Sequence, residues 1–221
     1  MKYAVSLSGL GIALAGIGAY SGMVGVVLIW LGGDFLILGI AHFRRAQGLF
    51  GKRPDGTLPF WSWIAFLPLL LFSSLVWHAA RIFSSEPAFN HISDDLVVGR
   101  RLLAHERAAD FVNYVDLTAE FQEPKIFRES PSYLAFPVLD ASAPSPEILR
   151  AVVSQLRPGA TFIHCAQGHG RTGLFALAVL LTSGAVRSVD EGLSLLTSIR
   201  PAIHLSPQQA DCIRAYATNF A

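Results

Sequence analysis

The residues best suited to chemistry lie in one stretch, His164-Cys165-Ala166-Gln167-Gly168-His169-Gly170-Arg171-Thr172-Gly173. It follows an apolar run with strand character and opens a helical one. A cysteine, five residues and an arginine close a loop whose backbone N–H groups can converge on one anion. Such a nest, set on a helix N-terminus, favours a phosphate dianion. Gly168 and Gly170 permit the backbone angles that this turning requires. Arg171 supplies a planar fork matched to two phosphate oxygens. The same field stabilises a thiolate at Cys165, the reactive form of that side chain. A thiolate held against phosphorus forms a phospho-cysteine intermediate. This chemistry calls for no metal and no cofactor, and the sequence has no CxxC or clustered His/Cys spacing for a metal. Its two cysteines, Cys165 and Cys212, make no disulfide framework; Cys212 has the pattern of a small core residue.

The stretch resembles the HCxxGxxR[ST]G signature of the protein tyrosine phosphatase superfamily, in its dual-specificity branch, and meets every fixed position. Leu96-Val97-Val98-Gly99-Arg100 looks like the opening strand of these domains, Tyr114-Val115-Asp116-Leu117-Thr118 like the second, and Arg200-Pro201 with Gln208 and Gln209 like the segment after the catalytic helices. The resemblance covers residues 92–221 and implies a membrane-anchored, bacterial-type enzyme with a central sheet flanked by helices. It implies roles residue by residue. Cys165 is the nucleophile. Arg171 and the loop residues Ala166, Gln167, Gly168, His169 and Gly170 bind the phosphate. Thr172 hydrogen-bonds the departing thiolate, and His164 fixes the loop. Gln208 or Gln209 orients the attacking water, although glutamines at a helix start are often simply solvated. The general acid fits Asp140, on a Pro/Ser-rich loop after a strand, from which a carboxyl can swing over substrate. The competing reading of Asp140 is a turn aspartate, and Asp116 and Asp110 are weaker candidates for the acid. The alternative to an enzyme is a catalytically silent phosphate-binding module at the membrane.

The elements that must position these residues divide in two. Of 221 residues 52% are hydrophobic and only 15% charged, against roughly 25% charged in an ordinary soluble domain. Residues 1–80 carry Lys2, Arg44, Arg45, Lys52 and Arg53 against Asp34 and Asp55, while the remainder is slightly acidic. No basic block suggests nucleic acid. The apolar tract 3–41 is about twice the ~20 residues a membrane span needs, so it reads as spans 3–20 and 23–41 with a turn at Tyr20-Ser21-Gly22. Glycines at 9, 11, 16 and 18 suit close helix contact in lipid. A secretory signal peptide is the competing reading, but the run is long and has no clear cleavage site. A third span covers 58–77, with Trp61 and Trp63 at one interface, Trp77 at the other, and a kink at Pro68. The alternative for these runs is a buried helical hairpin of a soluble protein. The expected architecture is therefore an all-α transmembrane region over 1–80, a linker over 81–95 and an α/β phosphatase domain over 96–221. In that domain strands are expected at 96–98, 111–117, 133–139 and 160–164, and helices at 146–156, 171–182, 188–199 and 206–220.

The implied partners are the lipid bilayer and a phosphorylated substrate, either a phosphoprotein or a phospholipid headgroup. Location is a multi-pass membrane protein. With three spans, the basic loop 43–58 and the phosphatase lie on opposite sides. The excess of basic residues then places the loop in the cytoplasm and the phosphatase outside it. A single crossing by 3–41 would return the phosphatase to the cytoplasm, which also suits a catalytic thiolate. The charge asymmetry favours the extracytoplasmic placement.

Overall fold

The computed structural model describes residues 2–106 and 111–218; Asp110 lies outside them. The chain begins with an antiparallel hairpin of α1 (Lys2–Ala19) and α2 (Gly22–Arg44), turned at Gly22 with φ +57°. Small residues recur every seventh position on the facing sides, Ala4, Gly11 and Gly18 against Gly25, Gly32 and Gly39. A Cβ on Gly11 would lie 2.6 Å from the Gly32 carbonyl oxygen, and one on Gly18 would lie 2.7 Å from that of Gly25. The two backbones therefore touch, as small-residue stripes allow. Gly9 and Gly16, expected at the same contact, face open space instead. The outer faces are exposed and apolar, including Val5, Ile12, Val24 and Val26.

The third apolar tract differs from the single kinked span expected. It is broken at Phe66 into α3 (Phe60–Ala65) and α4 (Leu67–Phe83), because Pro68, lacking an N–H, is accommodated in a helix only in its first turn. The start of α4 meets the middle of α2: Leu69 N–H donates to Asp34 Oδ2 (3.3 Å), and Trp30 Nε1 donates to the Ala65 carbonyl (2.9 Å). The far end of α4 meets the α/β domain. Trp77, expected at a lipid interface, is 1% exposed and buried within the protein.

The α/β domain is built on five strands in the order β1-β2-β5-β3-β4. β1 (Phe89–His91) is antiparallel to β2 (Leu96–Arg100). β5 (Thr161–Cys165) lies parallel between β2 and β3 (Asn113–Thr118), and β4 (Tyr133–Val138) is the parallel edge. Residues 81–95 are thus no linker: they contain the end of α4 and β1. Strands β3 and β5 are buried at every position, as parallel strands covered on both faces are. Pro137 confines β4 to the edge, and the register shifts opposite it, between Asp116 and Thr118. The helices are a short α5 (Lys125–Arg128), then α6 (Pro146–Val153), α7 (Gly170–Thr182), α8 (Val189–Ile199) and α9 (Pro207–Ala217). Ser145, Ser188 and Ser206 cap α6, α8 and α9, each accepting a backbone N–H. α7 is buried around most of its circumference, so after Arg171 and Thr172 in its first turn it is apolar on all faces rather than striped.

The basic segment after α2 does not hang free. Lys52 Nζ donates to Asp116 Oδ2, to the Thr118 carbonyl (2.8 Å) and to Thr118 Oγ1 (2.9 Å), and both members of the Lys52–Asp116 pair are fully buried. Leu58 N–H donates to Gln122 Oε1 (3.1 Å). Residues 42–58 therefore pack on the carboxyl-end side of the sheet.

Candidate active site

Strand β5 ends at Cys165 and α7 begins at Gly170, so the turn between them is the loop singled out above. Cys165 is 3% exposed, and its Sγ accepts the Gly168 N–H at 3.2 Å. Gly168 has φ +75°, and a Cβ there would collide with the Gly99 carbonyl. Three consecutive loop carbonyls are drawn outward. Trp77 Nε1 donates to Ala166 O (2.9 Å), Arg200 Nη2 to Gln167 O (2.9 Å) and Arg200 Nε to Gly168 O (2.9 Å). A loop whose carbonyls are held outside turns its N–H groups toward the enclosed space, which suits an anion. His169 Nε2 pairs with Glu86 Oε2 (2.7 Å), so its ring is tied to the segment before β1.

Arg171 is 2% exposed. Its two terminal nitrogens bind Glu120, Nη2 to Oε1 at 2.8 Å and Nη1 to Oε2 at 2.9 Å, and Nη1 also donates to Val138 O (3.0 Å). Its Nε has no hydrogen-bond partner among the described residues and lies 3.4 Å from Asp140 Oδ1. One donor of the fork is thus left for a ligand. Burial alone would weaken the guanidinium's hold on its proton, but Glu120, Asp140 and Cys165 outweigh it and raise the pKa.

Asp140 follows β4, and its carboxyl is 81% exposed at the mouth of the site. The backbone around it is fixed from two directions. From the N-terminal part, His42 Nε2 donates to Asp140 O (2.8 Å), while Gln47 accepts Leu139 N–H (2.8 Å) and donates to Ser142 Oγ (2.8 Å). From the α9 side, Ser206 Oγ donates to Ala141 O (2.7 Å) and Gln209 Nε2 to Ser142 O (3.1 Å). Ala141 has φ +56°, a left-handed conformation that these bonds hold in place.

The other residues named from the sequence separate by position. Gln209 is buried, completes a capping box with Ser206, and its side chain lies against Gly170. Gln208 lines a different cavity, beside Arg45 and Gln47, and is not brought to Cys165. Thr172 is fully buried, with Oγ1 lacking a hydrogen-bond partner among the described residues. His164 is fully buried; burial, opposed by Asp116, pushes its pKa down to about 4, so it is a neutral ring under the loop. Asp116 is used up within the sheet: besides Lys52 it accepts Tyr133 OH (2.6 Å) and Thr118 N–H (2.8 Å). Burial alone would raise the Asp116 carboxyl, but the Lys52 ammonium and the hydrogen bonds from Lys52 and Tyr133 hold it below the usual carboxylate range. Asp116, Glu123 and His164 bring ligand atoms within 4.8 Å of one another, yet the Lys52 ammonium already supplies the positive charge there. Cys212 is buried, its Sγ 3.3 Å from Pro144 O.

Sequence reasoning missed Glu120, Trp77, His42, Gln47 and Lys52. A signal existed for Glu120, which stands two residues past β3, at the carboxyl ends of parallel strands where ligands bind in open α/β sheets. Arg200 was noted only as part of a resemblance; its 2% exposure and its bonds to the loop make it the loop's scaffold.

No protein-family model and no curated protein matches the chain. Solved structures do. Tk-PTP in its active form is 24% identical at a TM-score of 0.53, covering 60% of this chain and 97% of its own. Human DUSP28 is 18% identical at a TM-score of 0.52, covering 61% of this chain and 95% of its own. The human tyrosine phosphatase-like serine/threonine/tyrosine-interacting protein is 12% identical at 0.51, covering 60% and 97%.

Proposed function

From a chain with the dual-specificity-phosphatase fold of the protein tyrosine phosphatase superfamily, we propose a membrane-anchored enzyme that hydrolyses phosphate monoesters through Cys165. The observation that carries this reading is the preformed loop. Cys165 Sγ receives an N–H from that loop, the loop's carbonyls are tied outward, and Arg171 keeps one donor free beside an exposed carboxyl. The substrate phosphate sits in the loop, bound by its N–H groups and Arg171. The Cys165 thiolate attacks phosphorus, the P–S bond forms, and the P–O bond to the leaving group breaks as Asp140 protonates that oxygen. Water then attacks the phospho-cysteine with Asp140 as base, releasing phosphate and restoring the thiolate; the Thr172 hydroxyl, without a partner among the described residues, donates to that thiolate in this reading. Gln209 rather than Gln208 is the glutamine beside the site. Purified full-length chain in detergent, assayed in EDTA, should hydrolyse a small aryl phosphate, and Cys165→Ser should abolish turnover. Tight binding of phosphate esters without turnover would instead favour the silent phosphate-binding module.

The same reading assigns a membrane arrangement. The α1–α2 hairpin crosses the bilayer twice; the 23 residues of α2 span about 35 Å, against a hydrocarbon core of ~30 Å. α3 and α4 enter partway from the phosphatase side and return, since α4 starts beside Asp34, about 15 Å from the end of α2, and finishes on the catalytic loop. Non-helical backbone at such a depth is tolerated where protein covers it. The extracytoplasmic placement rested on three crossings, and the bonds joining residues 42–58 to the sheet argue against that premise. Lys2, Arg44, Arg45 and Arg53 then share the phosphatase side, which the positive-inside rule makes cytoplasmic. In cells expressing a Cys165→Ser, Cys212→Ala background, Tyr20→Cys should react with an impermeant maleimide from outside. Asp55→Cys should react only after lysis; the reverse pattern would overturn the arrangement.

A further inference from the structure

The cavity at Cys165 is not confined to the α/β domain. It is one space of about 330 Å³ that also reaches Tyr3 at the start of α1, Leu38 on α2, and Leu69, Phe72, Ser73 and Val76 on α4. One end is therefore a phosphate cradle and the other an apolar wall made by the helices assigned to the bilayer. Phe72 and Val76 are 43% and 47% exposed, and their neighbours Leu71 and Leu75 are 59% and 68% exposed. The wall thus continues onto exposed apolar surface at Leu71 and Leu75.

We infer, resting on the phosphatase reading above, that the substrate is a membrane-lipid phosphate monoester. Its phosphate lies in the 165–171 loop, and its acyl chains leave between α2 and α4 into the bilayer. The chemistry matches at both ends. The donors needed are at the loop and Arg171 Nε, and the helix side offers mostly methyl, methylene and aromatic surface, with the Tyr3 and Ser73 hydroxyls and the His42 imidazole as polar groups. A cavity of this volume holds a headgroup and the first methylenes of the chains, and the remainder needs no pocket because lipid surrounds it. A phosphopeptide would need polar partners and room for extended backbone at the mouth, where Phe72 and Val76 stand instead. The reaction is the one already written, with the lipid alcohol as leaving group and water as the second substrate; the products are that alcohol and inorganic phosphate.

The test is a chain-length series on the full-length protein in mixed micelles: glycerol 3-phosphate, then dihexanoyl, dioctanoyl and dioleoyl phosphatidic acid and phosphatidylglycerol phosphate. A phosphotyrosine peptide and an aryl phosphate run in parallel. Three or four buried methylenes are worth roughly 100-fold, so kcat/KM should rise at least that much from glycerol 3-phosphate to dioctanoyl lipid and then level off. Ser73→Trp, which fills the apolar end, should lower the ratio of dioctanoyl lipid to aryl phosphate kcat/KM at least tenfold. A flat series or a preferred peptide, with the aryl phosphate still hydrolysed through Cys165, would overturn the lipid assignment and leave the phosphatase reading standing. A rising series whose ratio Ser73→Trp leaves unchanged would overturn the groove. Turnover of none of these substrates would overturn both readings.

Discussion

The body of the α1–α2 hairpin and the stretch from His42, at the end of α2, to Phe83 adjoin in sequence, yet they are held by different forces. The hairpin is closed by backbone contact at Gly11, Gly18, Gly25 and Gly32 and presents apolar side chains outward. The following segment sends His42, Gln47, Lys52 and Trp77 into the α/β domain, and each bonds to the sheet or to a loop that frames the active site. Contact between small residues closes the hairpin and leaves its apolar faces outward. Hydrogen bonds and a buried ion pair make the rest of the N-terminal part a component of the α/β domain around Cys165. The N-terminal 80 residues are accordingly half a self-packed hairpin and half a wall of the cavity at Cys165.

Breaking the buried pair should have the largest effect. Lys52→Met leaves Asp116 without its cation, and orphaning one charge of a buried pair costs about 3–5 kcal/mol. Urea unfolding of the full chain in detergent reads the loss; a change below ~1 kcal/mol would return residues 43–58 to the status of a loose loop. Next comes pH. His164 has a folded pKa of about 4 against 6.5 unfolded, so the unfolded chain takes up the proton first. Its contribution is present above pH 6.5 and is lost as pH falls toward 4, by up to about 3 kcal/mol. His164→Asn should flatten that part of a melting-temperature profile, and a variant profile as steep as wild type would assign the slope elsewhere.

Two glycine substitutions sharpen the other side of the comparison. Gly25→Leu meets the Gly18 backbone and should cost about 1–3 kcal/mol of hairpin stability, whereas Gly16→Leu meets open space and should stay within about 0.5 kcal/mol. Equal effects would mean that the stripe is not the contact. The smallest effect is expected at Trp77→Phe, which keeps the ring but removes the N–H to Ala166 O. Losing about 1 kcal/mol of loop positioning corresponds to a five- to tenfold fall in kcat/KM. Aryl phosphate kinetics detect it, and an unchanged value would leave the loop held by Arg200 and by the Arg101 N–H to Ala166 O.

What could be read from the sequence was local. The loop from Cys165 to Arg171 is contiguous, its strand and helix adjoin it, and the edge position of β4 follows from Pro137 alone. What could not be read was pairing across long separations. Lys52 and Asp116 are 64 residues apart, Trp77 and Ala166 are 89, and His42 and Asp140 are 98. Hydropathy records that Trp77 is apolar but not whether lipid or protein covers it, so a buried contact was taken for an interfacial belt. Likewise the charges of 43–58 were counted for their sign, while the use of one of them inside the protein left no local trace. Glu120 stood in plain view after β3, but nothing nearby in sequence says that Arg171 rests on it.

The central claim, covalent phosphoryl transfer to Cys165, is tested most directly by trapping the intermediate. Full-length chain mixed with a phosphorus-32-labelled aryl phosphate and quenched within milliseconds should carry label on the peptide containing Cys165, with none on the Cys165→Ser variant. Steady turnover with no labelled enzyme, or label on any other side chain, would contradict the account.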